Sequence, residues 1–208
     1  MKNFYKVKNY DITNLCHDLR SLFYDLVNNE EMFGKNTGNS ISFRTWNYME
    51  ENYNQLFSLK NKIPLGDSIS FLKGRDFFTD KNVRPHSHDN QYGWSLLWGL
   101  ENCNKNVTTQ FFIEKDNCIP ESTPYSLKDS DHNGEKAFQR NLLTKSLDEL
   151  QFIEKFAVLN NEIYMFNGNT YHFPIYEGSN YNIHKDRMVA HWYVKNDDIE
   201  FLTNTLSL

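Results

Sequence analysis

His86, His88 and Asp89 fall within four residues in the stretch NVRPHSHDNQYGWSLLWGL. On an extended backbone, residues two apart project to one face, so His86 and His88 can present both imidazoles to one point. Two imidazoles with a neighbouring carboxylate make the donor set of a mononuclear divalent iron centre. Pro85 favours an extended backbone at Arg84 and removes a ladder donor, as at a strand edge or end. The same residues would also serve as a polar surface turn. A third donor elsewhere in the chain has to decide between the two.

The second half offers one. In EIYMFNGNTYHFPIYEGSNYNIHKDRMVAHWYVK, a strand pattern is followed by a tight Gly turn, His172, an open loop, Arg187 and a last strand pattern. His172 stands at a strand mouth, where a ring nitrogen can reach a pocket. Arg187 opens the last strand and, on a period of two, shares a face with Val189, His191 and Tyr193. A guanidinium there can grip a carboxylate with two parallel hydrogen bonds, which a lysine cannot reproduce. Taken singly, His172 reads as a hydrogen-bonded loop histidine and Arg187 as a strand-end charge. Their order and spacing after His86 and His88 favour a joint site.

The elements that must position these residues change character along the chain. In ITNLCHDLRSLFYDLVNN, Ile12, Leu15, Leu19, Leu22, Phe23 and Leu26 form one apolar stripe at helical spacing, with Asp11 or Thr13 as cap. A break at FGKNTGNS precedes a second predicted helix, FRTWNYMEENYNQLFSLKN, that Pro64 and Gly66 end. From residue 67 the period becomes two, in SISFLKG, GWSLLWGL, TTQFFIEK, EIYMF and RMVAHWYVK. Residues 117 to 134 read as a long polar loop, a candidate lid, and EKAFQRNLLTKSLDELQFI as a short helix. Helices followed by strands, without repeats or sustained β-α alternation, predict α+β or a β-sandwich with helical padding. Trp94, Trp98 and Trp192 sit at strand spacing, as core or as cavity lining.

Composition narrows the function classes. The chain has 208 residues, 39% hydrophobic and 15% aromatic, enough for one sizeable core. A net charge of −5 argues against a general nucleic-acid surface. Cys16, Cys103 and Cys118 show no CxxC spacing, which fits a reducing compartment rather than a disulfide scaffold. The opening MKNFYKVKNYDITN lacks the apolar run of a signal peptide, and no run approaches a membrane span. The predicted location is therefore the cytoplasm, or a host's cytoplasm if the chain is phage-encoded, since its Asn, Lys, Phe and Tyr usage suits an AT-rich genome. LGDSIS around Ser68 and Asp129-x-x-His132 match fragments of GDSL-type esterase motifs, without the block that belongs between them. No phosphate-binding Gly loop and no Gly-x-Ser-x-Gly elbow is present.

These segments resemble the iron(II)- and 2-oxoglutarate-dependent oxygenases, especially the phage and prolyl-hydroxylase-like branch. PHSHDNQYGWSLLW is similar to the family's His-x-Asp segment and the aromatic strand after it. TTQFF stands where a Gly-Gly-Glu-x-x-Phe strand often lies. MFNGNTYH resembles the approach to the distal histidine, and DRMVAHWYV the arginine strand about fifteen positions later. A strict His-x-Asp is absent, because His88 occupies the acid's place. The resemblance leaves three donor sets open: His86, Asp89 and His172; His88 and Asp89 as consecutive ligands; or His86, His88 and His172.

What the resemblance implies is a double-stranded β-helix (a jelly-roll, cupin-like fold, α+β but mainly β) with N-terminal helices packed on one sheet. Residues 1–66 would form the helical segment and 67–208 the catalytic core. The implied cofactors are Fe(II) and 2-oxoglutarate, with Arg187 binding the far carboxylate of the keto acid. Trp94, Gln110 and His191 are the expected substrate-lining residues. The implied activity is hydroxylation of a small molecule or a protein side chain, and a cupin-like binding module without 2-oxoglutarate turnover is the alternative.

Overall fold

The computed structural model describes residues 2–8, 10–28, 40–43, 50–63, 65–73, 85–88, 93–115, 123–128, 139–144, 146–177, 187–194 and 199–206. Its strands are β1 (Phe4–Lys6), β2 (Ser40–Phe43), β3 (Leu65–Lys73), β4 (His86–Ser87), β5 (Trp94–Glu101), β6 (Val107–Glu114), β7 (Thr123–Lys128), β8 (Gln139–Thr144), β9 (Leu150–Phe156), β10 (Ile163–Asn167), β11 (Tyr171–Tyr176) and β12 (Met188–Val194). The helices are α1 (Tyr10–Asn28), α2 (Asn54–Lys62) and α3 (Ile199–Leu206).

Two six-stranded antiparallel sheets result, in the orders β1-β10-β5-β12-β3-β2 and β7-β8-β4-β11-β6-β9. From β3 to β6 and again from β9 to β12, the chain crosses between the sheets at nearly every step. That crossing leaves β10-β5-β12-β3 facing β4-β11-β6-β9. Such a strand order is a double-stranded β-helix. The hairpin β7–β8 extends the second sheet beyond β4, while β1 and β2 extend the first at its two ends.

Alternation along each strand builds two cores. Leu96, Trp98, Ala190, Trp192, Ile163 and Met165 turn outward from the first sheet and pack with Leu15, Leu19 and Leu22 of α1, Leu56 and Leu59 of α2, and Leu202 and Leu206 of α3. Each fully buried leucine contributes roughly 2 kcal/mol, so this layer fixes the helices on the sheet. The opposite faces carry Leu97, Phe111, Phe156, Phe166 and Val189, which fill the space between the sheets. The tryptophans Trp94, Trp98 and Trp192 all belong to the helix-side core. Cys16 and Cys103 are free and buried. Among the described residues no helix is long and apolar enough to cross a membrane.

Several local expectations are corrected. Phe43 ends strand β2 rather than opening a helix. The region 135–153, expected as a helix, contains β8, the 3-10 turn Leu147–Glu149 and the start of β9. Leu142 and Leu143 pair with Tyr125 and Pro124, and a sheet neighbour of this kind overrides local helix propensity. The polar loop at 117–134 includes strand β7. Helix α1 starts at Tyr10, ahead of both expected caps. Ser68 lies in β3, while Asp129 and His132 fall outside the described residues.

Gly99 shows how closely the strands and loops meet. A Cβ there would lie 2.0 Å from the Leu159 carbonyl oxygen. The same glycine accepts from Asn161 N–H and donates to Glu162 O, tying β5 to the turn before β10. Gly99→Ala should therefore destabilise the fold by at least about 2 kcal/mol, read as a lower urea midpoint with an unchanged slope. An unaltered midpoint would show that the turn can move aside.

Candidate metal centre

The donor cluster is assembled by strand pairing. His172 of β11 stands directly opposite His86 of β4 in the antiparallel register. His88 follows two residues after His86, on the same face. The backbone N–H of His88 donates to the Gly168 carbonyl at 2.8 Å, which carries the chain across to the turn between β10 and β11. One ligand nitrogen from each of His86, His88 and His172 lies within 4.8 Å of the other two. The ring centroids are 4.6 Å apart for His86–His172 and 4.7 Å for His88–His172.

The rings sit between the sheets at the inner core. His172 packs against Phe166 at 5.0 Å and Phe111 at 6.1 Å, and His88 against Tyr193 at 5.1 Å. His88 and His172 are buried, while His86 is half-buried and opens the cluster toward solvent. Burial, and then the nearby His86, hold His172 well below the usual histidine range, so it is a neutral imidazole. Its Nδ1 lies 2.8 Å from the Thr170 carbonyl oxygen. A carbonyl only accepts, so Nδ1 carries the proton and Nε2 keeps the lone pair that a metal needs.

Gly168 is the second support. A Cβ at this position would approach His88 Nδ1 to 2.4 Å, so only glycine leaves room for the ring. Three imidazoles converging on one point, one neutral and oriented by a carbonyl and one seated against a glycine, fit a divalent transition metal.

The other predicted residues are placed as follows. Asp89 lies outside the described residues. His191 is buried and stacked on Phe166 at 5.8 Å, with its ring centroid 6.1 Å from His88. Arg187 precedes β12 in the same inward row as Val189 and His191, four residues from His191 along the chain. That is about 13 Å of extended backbone. Arg187 is buried beside Cys103, and its Nε has no hydrogen-bond partner among the described residues. Burial lowers its affinity for a proton, against the opposing effect of Cys103. Gln110 points away from the cluster, to the outer face, where it donates to Glu177 at 2.7 Å. Trp94 belongs to the helix-side core and packs near Tyr5. Neither of these two is brought together with the histidines.

Sequence reading missed three contributors. The Gly turn in MFNGNTYH is visible in the sequence, but its seat for His88 is not. Thr170 orients His172 through a main-chain carbonyl, which any residue supplies. Ser95, in register with Phe166 and Tyr193, is fully buried with a hydroxyl that finds no partner among the described residues.

No protein-family model and no curated protein matches the chain. Among solved structures it is similar to the epimerase SnoN, determined in complex with Fe3+, alpha ketoglutarate and nogalamycin RO. There the TM-score is 0.45 at 10% identity, over 96% of this chain and 84% of that one. It is also similar to E. coli ycfD, with a TM-score of 0.37 at 13% identity, over 79% of this chain and 36% of that one. The fold assignment rests on the strand order. It is a double-stranded β-helix with a histidine cluster between its sheets.

Gly168→Ala tests the seat directly. The variant should bind Co(II) or Zn(II) at least about tenfold more weakly than the parent protein, in a calorimetric titration, because His88 has to turn away. Equal affinity would mean that His88 does not hold the metal in the position described.

Proposed function

We propose that the chain is a non-haem iron(II) oxygenase that uses 2-oxoglutarate, with His86, His88 and His172 as the iron ligands. The observation that carries this reading is the convergence of three imidazole nitrogens within 4.8 Å between the two sheets. Imidazole donors suit iron as well as zinc, copper and nickel, so the metal itself is part of the test. Bound iron would supply oxygen activation coupled to oxidative decarboxylation of the keto acid.

The chain's own residues do the remaining work. His86, His88 and His172 would hold the iron, and the keto acid would bind it beside them. Phe111, Phe166 and Tyr193 keep bulk water from the buried imidazoles. Arg187 is the proposed partner of the far carboxylate. A buried guanidinium without a described carboxylate partner is costly, and an anionic ligand would offset that cost. The substrate of the proposed hydroxylation is a small molecule or a protein side chain, reached through the half-buried His86 side.

One observation favours a second reading. Histidine holds the place where the resembled family carries its acid, and a neutral three-imidazole site also suits a cupin-like module that binds metal or ligand without turning over 2-oxoglutarate.

An anaerobic titration separates the two. Metal-free protein receives iron(II) and then 2-oxoglutarate, and the visible charge-transfer band of the chelated keto acid is followed. The expected result is a band that needs both additions, that Arg187→Ala displaces to higher 2-oxoglutarate concentration, and that His172→Ala removes together with tight iron binding. Iron binding without any band would select the binding module. No binding of iron, zinc or cobalt would overturn the metal centre.

A further inference from the structure

Both buried imidazoles depend on the turn at 167–170, and that turn is held by a residue near the other end of the chain, just before β1. We propose that Asn3, anchored by Glu154, is a positioning residue for the histidine cluster, an inference that rests on reading the cluster as a metal centre. Four hydrogen bonds carry it. The Asn3 carbonyl accepts from Asn167 N–H at 2.7 Å. Its Oδ1 accepts from the Thr170 hydroxyl at 2.8 Å. Its backbone N–H and its Nδ2 both donate to Glu154 Oε1, at 3.0 and 2.7 Å.

The two bonds to the turn each lead to a ligand. Thr170, gripped through its side chain, gives its carbonyl to His172 Nδ1. Asn167, gripped through its N–H, precedes Gly168, whose carbonyl receives the His88 N–H and whose α-carbon seats the His88 ring. Asn167 Oδ1 also accepts from Asn169 N–H at 3.0 Å, closing the turn on itself. One residue thus fixes both ends of the segment that orients two of the three ligands.

The residue type suits the task. An amide offers a donor and an acceptor in fixed, opposed directions, here toward Glu154 and Thr170. An aspartate would set a second carboxylate against Glu154. The ladder of β1 with β10 begins at Phe4, so the side-chain bonds of Asn3 lie outside strand pairing, one reaching the turn and the other Glu154.

The test compares Asn3→Ala and Thr170→Val with Thr170→Ser and Glu154→Gln, which keep the needed atoms. Lys6→Met serves as control on the adjoining strand β1, where Lys6 pairs with Glu162. Two quantities are read. One is the Co(II) dissociation constant; the other is the ring N–H resonance of His172 in the metal-free protein, which reports its bond to Thr170. Asn3→Ala and Thr170→Val should weaken Co(II) binding roughly 10- to 100-fold and expose the His172 ring proton to solvent exchange. Thr170→Ser, Glu154→Gln and Lys6→Met should leave both close to the parent values. A protected His172 proton in folded Thr170→Val and Asn3→Ala overturns the proposal, as does an equal loss in Lys6→Met. If Asn3→Ala fails to fold, Thr170→Val alone decides. Should the parent protein bind no Co(II), the metal reading fails separately, and the ring-proton signal still decides the role of Asn3.

Discussion

The turn at residues 167–170 is the constraint on which the cluster depends. Antiparallel pairing of β4 with β11 puts His86 opposite His172, but pairing alone leaves the rings free to choose rotamers. The turn removes that freedom. Its Thr170 carbonyl sets the tautomer of His172, and its Gly168 gives the His88 ring a place no other residue would leave. A site assembled from main-chain groups in this way is less exposed to drift of long side chains, since a carbonyl in a tight turn has little room to move.

The double-stranded β-helix explains why such a turn is available. From β9 to β12 the strands alternate between sheets, so the β10–β11 connection crosses from one sheet to the other beside the end of β4. The inward faces nearby are apolar, with Phe111, Phe156 and Phe166 in ring contact. Burial keeps His172 neutral and lone-pair bearing, which protonation would prevent. The helices contribute at a distance. By covering the outward face of the first sheet, α1, α2 and α3 let β5 and β12 be buried on both sides.

Much of this was legible in the sequence, for identifiable reasons. The strands β5, β6, β10 and β12 announce themselves through β-branched and aromatic residues, and α1 through its leucine stripe. His86, His88 and His172 could be singled out because histidine is scarce enough in the chain for spacing to carry meaning. What failed were segments whose structure is imposed from outside. Strand β8 contains QRNLLT, a helix-compatible string that becomes a strand because β7 and β4 flank it. Trp94 and Gln110 are expected to line the cavity under the resemblance, yet alternation in the folded sheets turns one to the helices and the other to the outer surface. Asn3 gives no signal at all: its partners lie 151 and 167 residues away.

The charge balance between the sheets bears on which ligand the proposed enzyme would hold. A divalent ion held by three imidazoles alone would keep both of its charges. Arg187 adds a further positive charge in the same inward row, without a described carboxylate partner. With such an ion bound, two separated cationic points, divided by apolar Val189, would favour an occupant with two negative ends. A short dicarboxylate answers both points at once, one end on the metal and the other on the guanidinium. In the resembled family the metal's own acid ligand removes one of these charges. Under the three-histidine proposal, the keto acid's metal-binding end should be held more tightly and Arg187 should be relatively less decisive for affinity.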